Sequence, residues 1–347
     1  MNQRTRAAAA AVGVGVIFLA IQLAALALVD PFKGAGYQTV ENPSDPTNSV
    51  VYIVAVLVAT GLMLAAFKFD VEWAIRAMIV LSGGYISMIV LDTIAPAAIP
   101  SVAGLSTLAL VGAAGIVIGL LVYPEWWVID TAGVFMGAGA AGLFGITFGV
   151  LPALVLLTVL AVYDAISVYG TEHMLTLASG VMDLKIPVVL VVPLSLSYTF
   201  LDDEQPASVG DAAEADEGTP TADGGDESVD GDGTDEGDEH ADEEGDPLDR
   251  DALFIGLGDA VIPAVLVASA AFFTPGSVPT FDLPLIALTL PAATAMVGTF
   301  VGLAVLLSMV LKGRAHAGLP LLNGGAIGGY LAGSLVAGVP ILTALGL

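Results

Sequence analysis

The 347 residues include no cysteine, three histidines and nine lysines and arginines together. Without cysteine there is no disulfide, no thiol nucleophile and no cysteine-bound metal. His173, His240 and His316 are scattered, one of them in an acidic tract, and no His-Glu-x-x-His occurs, so neither a histidine-rich metal site nor a zincin-type helix is expected. Charge is scarce as well. Only 13% of residues are charged against 56% hydrophobic, and the mean hydropathy is +0.88. No soluble domain of this size sustains that balance, so the chain reads as an all-α polytopic membrane protein.

The net charge of -26 belongs to one tract, because 22 of the 35 acids lie between Asp202 and Asp251. With almost nothing apolar to bury, residues 202–250 are expected to be a disordered cytoplasmic loop. Such a loop suits a high-salt cytoplasm, and an ordinary acidic linker reads the same way. Its acidity excludes binding to nucleic acid or anionic lipid through this segment.

Apolar runs long enough to cross a bilayer, about 18–25 residues, are expected at Ala7–Val29, Val50–Phe67, Ala74–Ile94, Val102–Tyr123, Trp127–Phe148 and Val150–Tyr169, all within residues 1–201. The first exceeds the core of a signal peptide; it reads as a retained span, with cleavage after Ala25-Leu26-Ala27 the alternative. Ile186-Pro187 and Val192-Pro193 argue against one uninterrupted helix over Gly170–Leu201. Three further spans, Asp251–Phe273, Leu283–Leu311 and Gly318–Leu345, occupy residues 251–347. That makes nine. With the N-terminus cytoplasmic and the C-terminus outside, every lysine and arginine except Lys33 falls on the cytoplasmic side, as the positive-inside rule requires.

Acids inside spans are costly and mark function. Asp164, in Tyr163-Asp164, is expected about 8 Å short of the cytoplasmic end of the sixth span, and Asp259, in Gly256-Leu257-Gly258-Asp259, about 9 Å into the seventh. Two antiparallel spans would thus bring two carboxylates to one level. Such a pair shares a proton: one member takes a proton from an attacking water while the other donates to the developing oxyanion. Gly256 and Gly258, without Cβ, let backbone and water approach. Asp92 and Asp130 are also acids near span ends and read as interfacial groups or caps. Ser82-Gly83 and Ser179-Gly180 lack the glycine two residues before serine that serine-type intramembrane proteases carry. The same carboxylate pair leaves a second class open, a proton- or cation-coupled transporter or channel.

On Tyr163-Asp164, Gly256-Leu257-Gly258-Asp259 and Gly318-Leu319-Pro320, the sequence resembles the presenilin family of intramembrane aspartyl proteases, its archaeal members in particular, over nearly the whole chain. The third motif departs from the family's Pro-Ala-Leu-Pro in its first two positions, Ala317-Gly318. The resemblance implies nine spans, catalytic acids at Asp164 and Asp259 supported by Tyr163 and the Gly-Leu-Gly run, and substrate positioning by Gly318, Leu319 and Pro320. No cofactor and no metal are expected. The substrates would be transmembrane proteins or peptides in a cell membrane, cut toward their cytoplasmic ends. Signal peptide peptidases share these motifs in the inverted orientation, which the basic residues disfavour. Presenilins cut themselves in the connection corresponding to the acidic loop; an inert linker is the favoured reading here.

An opened substrate helix must find new backbone partners in an apolar surrounding. Adding a strand to exposed protein backbone is one solution, with Leu319-Pro320 on one side and the Gly170–Pro193 segment on the other. Gly325, Gly329 and Gly333, and likewise Gly133/Gly137 and Gly145/Gly149, have the small-residue spacing of close helix contacts. Contact within the chain is the favoured use, with a homodimer the alternative.

Overall fold

A computed structural model describes residues 3–69, 71–170, 188–195, 198–199, 252–274, 278–283, 286–312 and 317–347. The acidic loop and its expected disorder lie outside the described residues, as does most of Gly170–Leu201. Nine long helices and one short one stand in the described part: α1 (Gln3–Gly34), α2 (Thr47–Lys68), α3 (Glu72–Ile94), α4 (Thr107–Val122), α5 (Trp126–Thr147), α6 (Val150–Gly170), α7 (Leu257–Phe273), α8 (Leu290–Val310), α9 (Gly318–Val336) and α10 (Ile341–Ala344). Seven are long and apolar enough to cross a membrane; α4 and α7 are apolar but shorter.

The shortening has a local cause. Residues expected to begin the fourth, seventh and eighth spans form strands instead. Ser101–Val102 (β1) pairs with Leu105–Ser106 (β2) across a tight turn, where Ala103 and Gly104 take φ of 56° and 86°, the left-handed pair that a two-residue hairpin needs. Asp92 Oδ1 accepts from the Ser106 N–H at 2.7 Å, and the Ser106 side chain caps α4 by accepting from Ala109 N. Asp92 is thus the anchoring group that its position suggests. Val189–Pro193 (β3) pairs antiparallel with Ala252–Gly256 (β4). Thr280–Leu283 (β5) pairs with Ile286–Thr289 (β6), and Thr289 then caps α8. Ile286–Thr289 was expected to be helical; Thr289 as cap and Pro291 just inside α8 start the helix later. At the other end, Gly338 at φ 78° ends the last long helix, so Gly318–Leu345 is a helix, a turn and the short α10.

Helix α5 lies at the centre because it is small on several faces. An added Cβ at Gly142 would meet Phe32 of α1 at 3.1 Å, and one at Gly137 would meet Leu257 and Val261 of α7 at 3.2 Å. On other faces Gly139 lies against Ile86 and Val90 of α3, and Gly145 against Ala268 of α7. Close helix approach through missing side chains is how apolar bundles gain packing without a solvent driving force. Buried polar groups tie the bundle further: Ser269 of α7 donates to Phe148 O past the end of α5 at 2.8 Å, and Ser49 of α2 donates to Pro152 O of α6 at 2.6 Å. The Gly325/Gly329/Gly333 stripe of α9 is covered by α8 of the same chain, Gly325 against Gly298 and Gly329 against Thr294.

Candidate active site

Strand β4 runs without interruption into the acid-bearing helix. Gly256 is the N-cap of α7, and Leu257, Gly258 and Asp259 are its first three residues. Leu257 is buried and its N–H donates to Val188 O at 2.7 Å, extending the β3–β4 ladder by one pair. The expectation of a helix from Asp251 is therefore corrected: Asp259 stands in the first turn of α7, not six residues along. An extended residue advances about 3.3 Å against 1.5 Å in a helix, so a strand carries the chain inward in fewer residues. Asp259 sits where the positive end of the helix dipole is felt. Pro263, one turn on, has no N–H to give the Asp259 carbonyl, which weakens the backbone ladder at the acid itself.

Asp164, fifteenth residue of α6, reaches the start of α9. Its Oδ2 accepts the Leu319 N–H at 3.0 Å. Leu319 is the second residue of that helix, after Ala317 as N-cap and Gly318, so a carboxylate from another helix satisfies one of the N–H groups that a helix start leaves without partners. Pro320 follows and has no N–H to satisfy. The Ala317 N–H goes to Tyr169 Oη at 3.4 Å. Gly318 lies on Asp259: a Cβ there would come within 2.9 Å of Asp259 Oδ2 and 3.4 Å of Oδ1. The two acids thus meet consecutive residues of α9, Asp259 at Gly318 and Asp164 at Leu319. Asp164, Asp259, Gly318 and Leu319 are thereby brought together at the N-terminal ends of α7 and α9. Both helices turn their positive ends toward two acids that the lipid would otherwise disfavour.

Other sequence-predicted residues are placed differently. The Tyr163 ring is at the surface, 42% exposed. Gly256 lies near Asp259, a Cβ there meeting Oδ2 at 3.6 Å, whereas a Cβ on Gly258 would meet open space. Two residues beyond the predicted set hold the third motif in place. One is Tyr169. The other is Asn323, wholly buried one turn beyond Leu319, whose Nδ2 donates to Leu157 O of α6 at 2.9 Å. A single amide in an apolar span, four residues from Leu319 and so on the same face, was the available signal.

The family model for signal-peptide peptidase, presenilin aspartyl protease, matches residues 15–339. Two solved structures of a presenilin family intramembrane aspartate protease, in C222 and P2 space groups, are each 31% identical to this chain. The first covers 94% of this chain and 99% of its own with a TM-score of 0.59; the second covers 94% and 97% with a TM-score of 0.57. Comparison with the curated proteins finds no match. The chain is an integral, multi-pass membrane protein and an intramembrane aspartic endopeptidase, and it belongs to the signal-peptide peptidase and presenilin family of aspartyl proteases.

Proposed function

We propose that Asp164 and Asp259 form the catalytic dyad and hydrolyse peptide bonds inside the transmembrane segments of other membrane proteins, near their cytoplasmic ends. The observation that carries this reading is the convergence of both carboxylates on the first two residues of α9, Asp259 against Gly318 and Asp164 on the Leu319 N–H. One carboxylate takes a proton from water as its oxygen attacks the peptide carbonyl carbon, while the partner acid donates to the forming oxyanion. The C–N bond then breaks as the amine nitrogen takes a proton from the dyad and a hydroxyl of the gem-diol intermediate returns one to it, so the pair is left singly protonated as before. The reading carries nine spans with the N-terminus cytoplasmic, α4 and α7 completing the seven longer helices. In support, each has a strand ahead of it that extends its reach. The comparisons lend the transporter alternative no support.

Gly318, Leu319 and Pro320 are read as positioning the substrate. Pro320 donates no N–H, and the Leu319 N–H is already engaged by Asp164, so an opened substrate would meet acceptors here more readily than donors. The β3–β4 hairpin, which ends one residue before Leu257, offers backbone for a substrate strand.

The test is cleavage of a reporter transmembrane peptide by the purified protein in vesicles, with products mapped by mass. Cuts toward the cytoplasmic end, lost in Asp164→Asn, are expected; an uncut peptide, or Asp164→Asn working at the wild-type rate, refutes the assignment. Gly318→Ala offers a subtler outcome. Its new methyl lies against a short, stiff side chain, so the Asp259 carboxyl must turn. A several-fold fall in kcat, on the order of tenfold at most, is expected with KM little changed.

A further inference from the structure

Asp130 is a further acid inside a membrane helix, and the dyad does not use it. It lies in the second turn of α5, only 9% exposed, and its Oδ1 accepts the Val191 N–H at 2.8 Å from a residue 61 positions away. The β-ladder tells which edge of β3 this is. Leu257 N–H bonds to Val188 O, and the register runs on through Val189↔Gly256 to Val191↔Phe254. In an antiparallel pair successive residues turn their backbone groups alternately toward and away from the partner. Val188 faces β4, so Val191, three residues on, faces outward. Asp130 therefore meets the edge of β3 opposite β4, where an unpaired N–H in an apolar setting would be costly.

The same face of α5 seats the rest of the hairpin. One turn after Asp130, Gly133 leaves room for Leu190, which an added Cβ would meet at 2.9 Å. Another turn on, Gly137 leaves room for Leu257 and Val261, each 3.2 Å from a Cβ there. Asp130, Gly133 and Gly137 follow helical spacing, so α5 offers one acceptor and two recesses to a hairpin whose second strand continues directly into Asp259.

We propose that Asp130 is a positioning residue for peptide hydrolysis: it pins β3 to α5, holds the β3–β4 hairpin and the Gly256–Asp259 turn in register, and closes the outer edge of β3 to a substrate strand. This rests on the dyad reading. What Asp130 supplies is an acceptor at a fixed distance, so an amide serves nearly as well as a carboxylate and a methyl does not.

The experiment compares Asp130→Asn, Asp130→Ala and Asp259→Asn on the reporter peptide, reading kcat, KM, the distribution of cut positions and backbone hydrogen exchange over Val188–Pro193. Asp130→Ala is expected to lose about ten- to a hundredfold in kcat, the scale of a small misplacement of catalytic groups. Its cut positions should spread, Val191 should exchange faster, and KM should move less than kcat. Asp130→Asn is expected to stay within about threefold of wild type with slow exchange, because its side-chain oxygen still accepts. If Asp130→Ala does not fold, Asp130→Ser, whose hydroxyl is too short to reach Val191, takes its place with the same expectation. Wild-type rates and cut positions in the truncated variant overturn the proposal, as does an Asp130→Asn as damaged as Asp130→Ala. Either result with Asp259→Asn inactive leaves the dyad standing; an active Asp259→Asn removes the dyad reading instead.

Discussion

Asp259→Asn is expected to leave a folded, membrane-embedded protein that cleaves a transmembrane reporter at least about 10⁴-fold more slowly than wild type, the upper range for removing a general acid–base group. The amide is nearly isosteric with the acid, so the contact with Gly318 survives and α9 keeps its seat. What disappears is the proton that must travel from water to carboxylate and on to the departing amine. Relieving the charge pair costs no packing, so thermal unfolding should occur at or slightly above the wild-type temperature. Asp164 is expected to behave differently on truncation, because its carboxylate also serves the start of α9 through the Leu319 N–H. Asp164→Asn should be inactive and stable, its side-chain oxygen still accepting. Asp164→Ala should be inactive and less stable by about 1 kcal/mol, the usual cost of a lost helix cap. Rates from peptide cleavage, set beside unfolding temperatures, separate the two roles. Wild-type turnover in Asp259→Asn would end the assignment.

The helices were legible in the sequence because hydrocarbon thickness dictates the length of an apolar run, and the acids because so few charges occur inside such runs. Six expected spans became helices within a few residues at their starts, from α1 at Gln3 to α9 at Gly318. The strands were not legible. Ala252–Leu253–Phe254–Ile255 is apolar whether it forms a strand or the first turn of a helix, and periodicity cannot separate the two over so short a stretch. Its partner, Val189–Pro193, lies across the acidic tract, so the ladder that decides the matter is a long-range contact. Asp130 was expected to be a rim group or cap, and its partner is a strand no local pattern links to it. Tyr169 and Asn323 hold α9 to α6 through backbone atoms of residues far along the chain. Polar residues in apolar spans announce that a partner exists, and the fold alone names it.

Gly325→Val is expected to be among the costliest single changes in the bundle. At Gly325 the α8 and α9 backbones meet directly: an added Cβ falls on Gly298 O, and the reciprocal Cβ at Gly298 falls on Gly325 O. Neither atom belongs to a side chain that could rotate away, so the helices must separate along a seam that continues at Gly302 against Leu321 and Gly329 against Thr294. Ordinary core overpacking costs about 1–3 kcal/mol, and an obstruction between two backbones should lie at the top of that range or above it. Gly325 is also seven residues, about 10 Å of helix, from Gly318, so any tilt that relieves the seam moves the residue lying on Asp259, and cleavage should fall together with the unfolding temperature. Gly324→Val is the control. A Cβ at Gly324 meets nothing within 4 Å, while the penalty of a β-branched residue in a helix is the same one position away. Near-wild-type stability and turnover in Gly324→Val, against loss of both in Gly325→Val, would assign the effect to the α8–α9 contact. Equal behaviour of the two variants would mean that the seam does not hold the third motif against the acids.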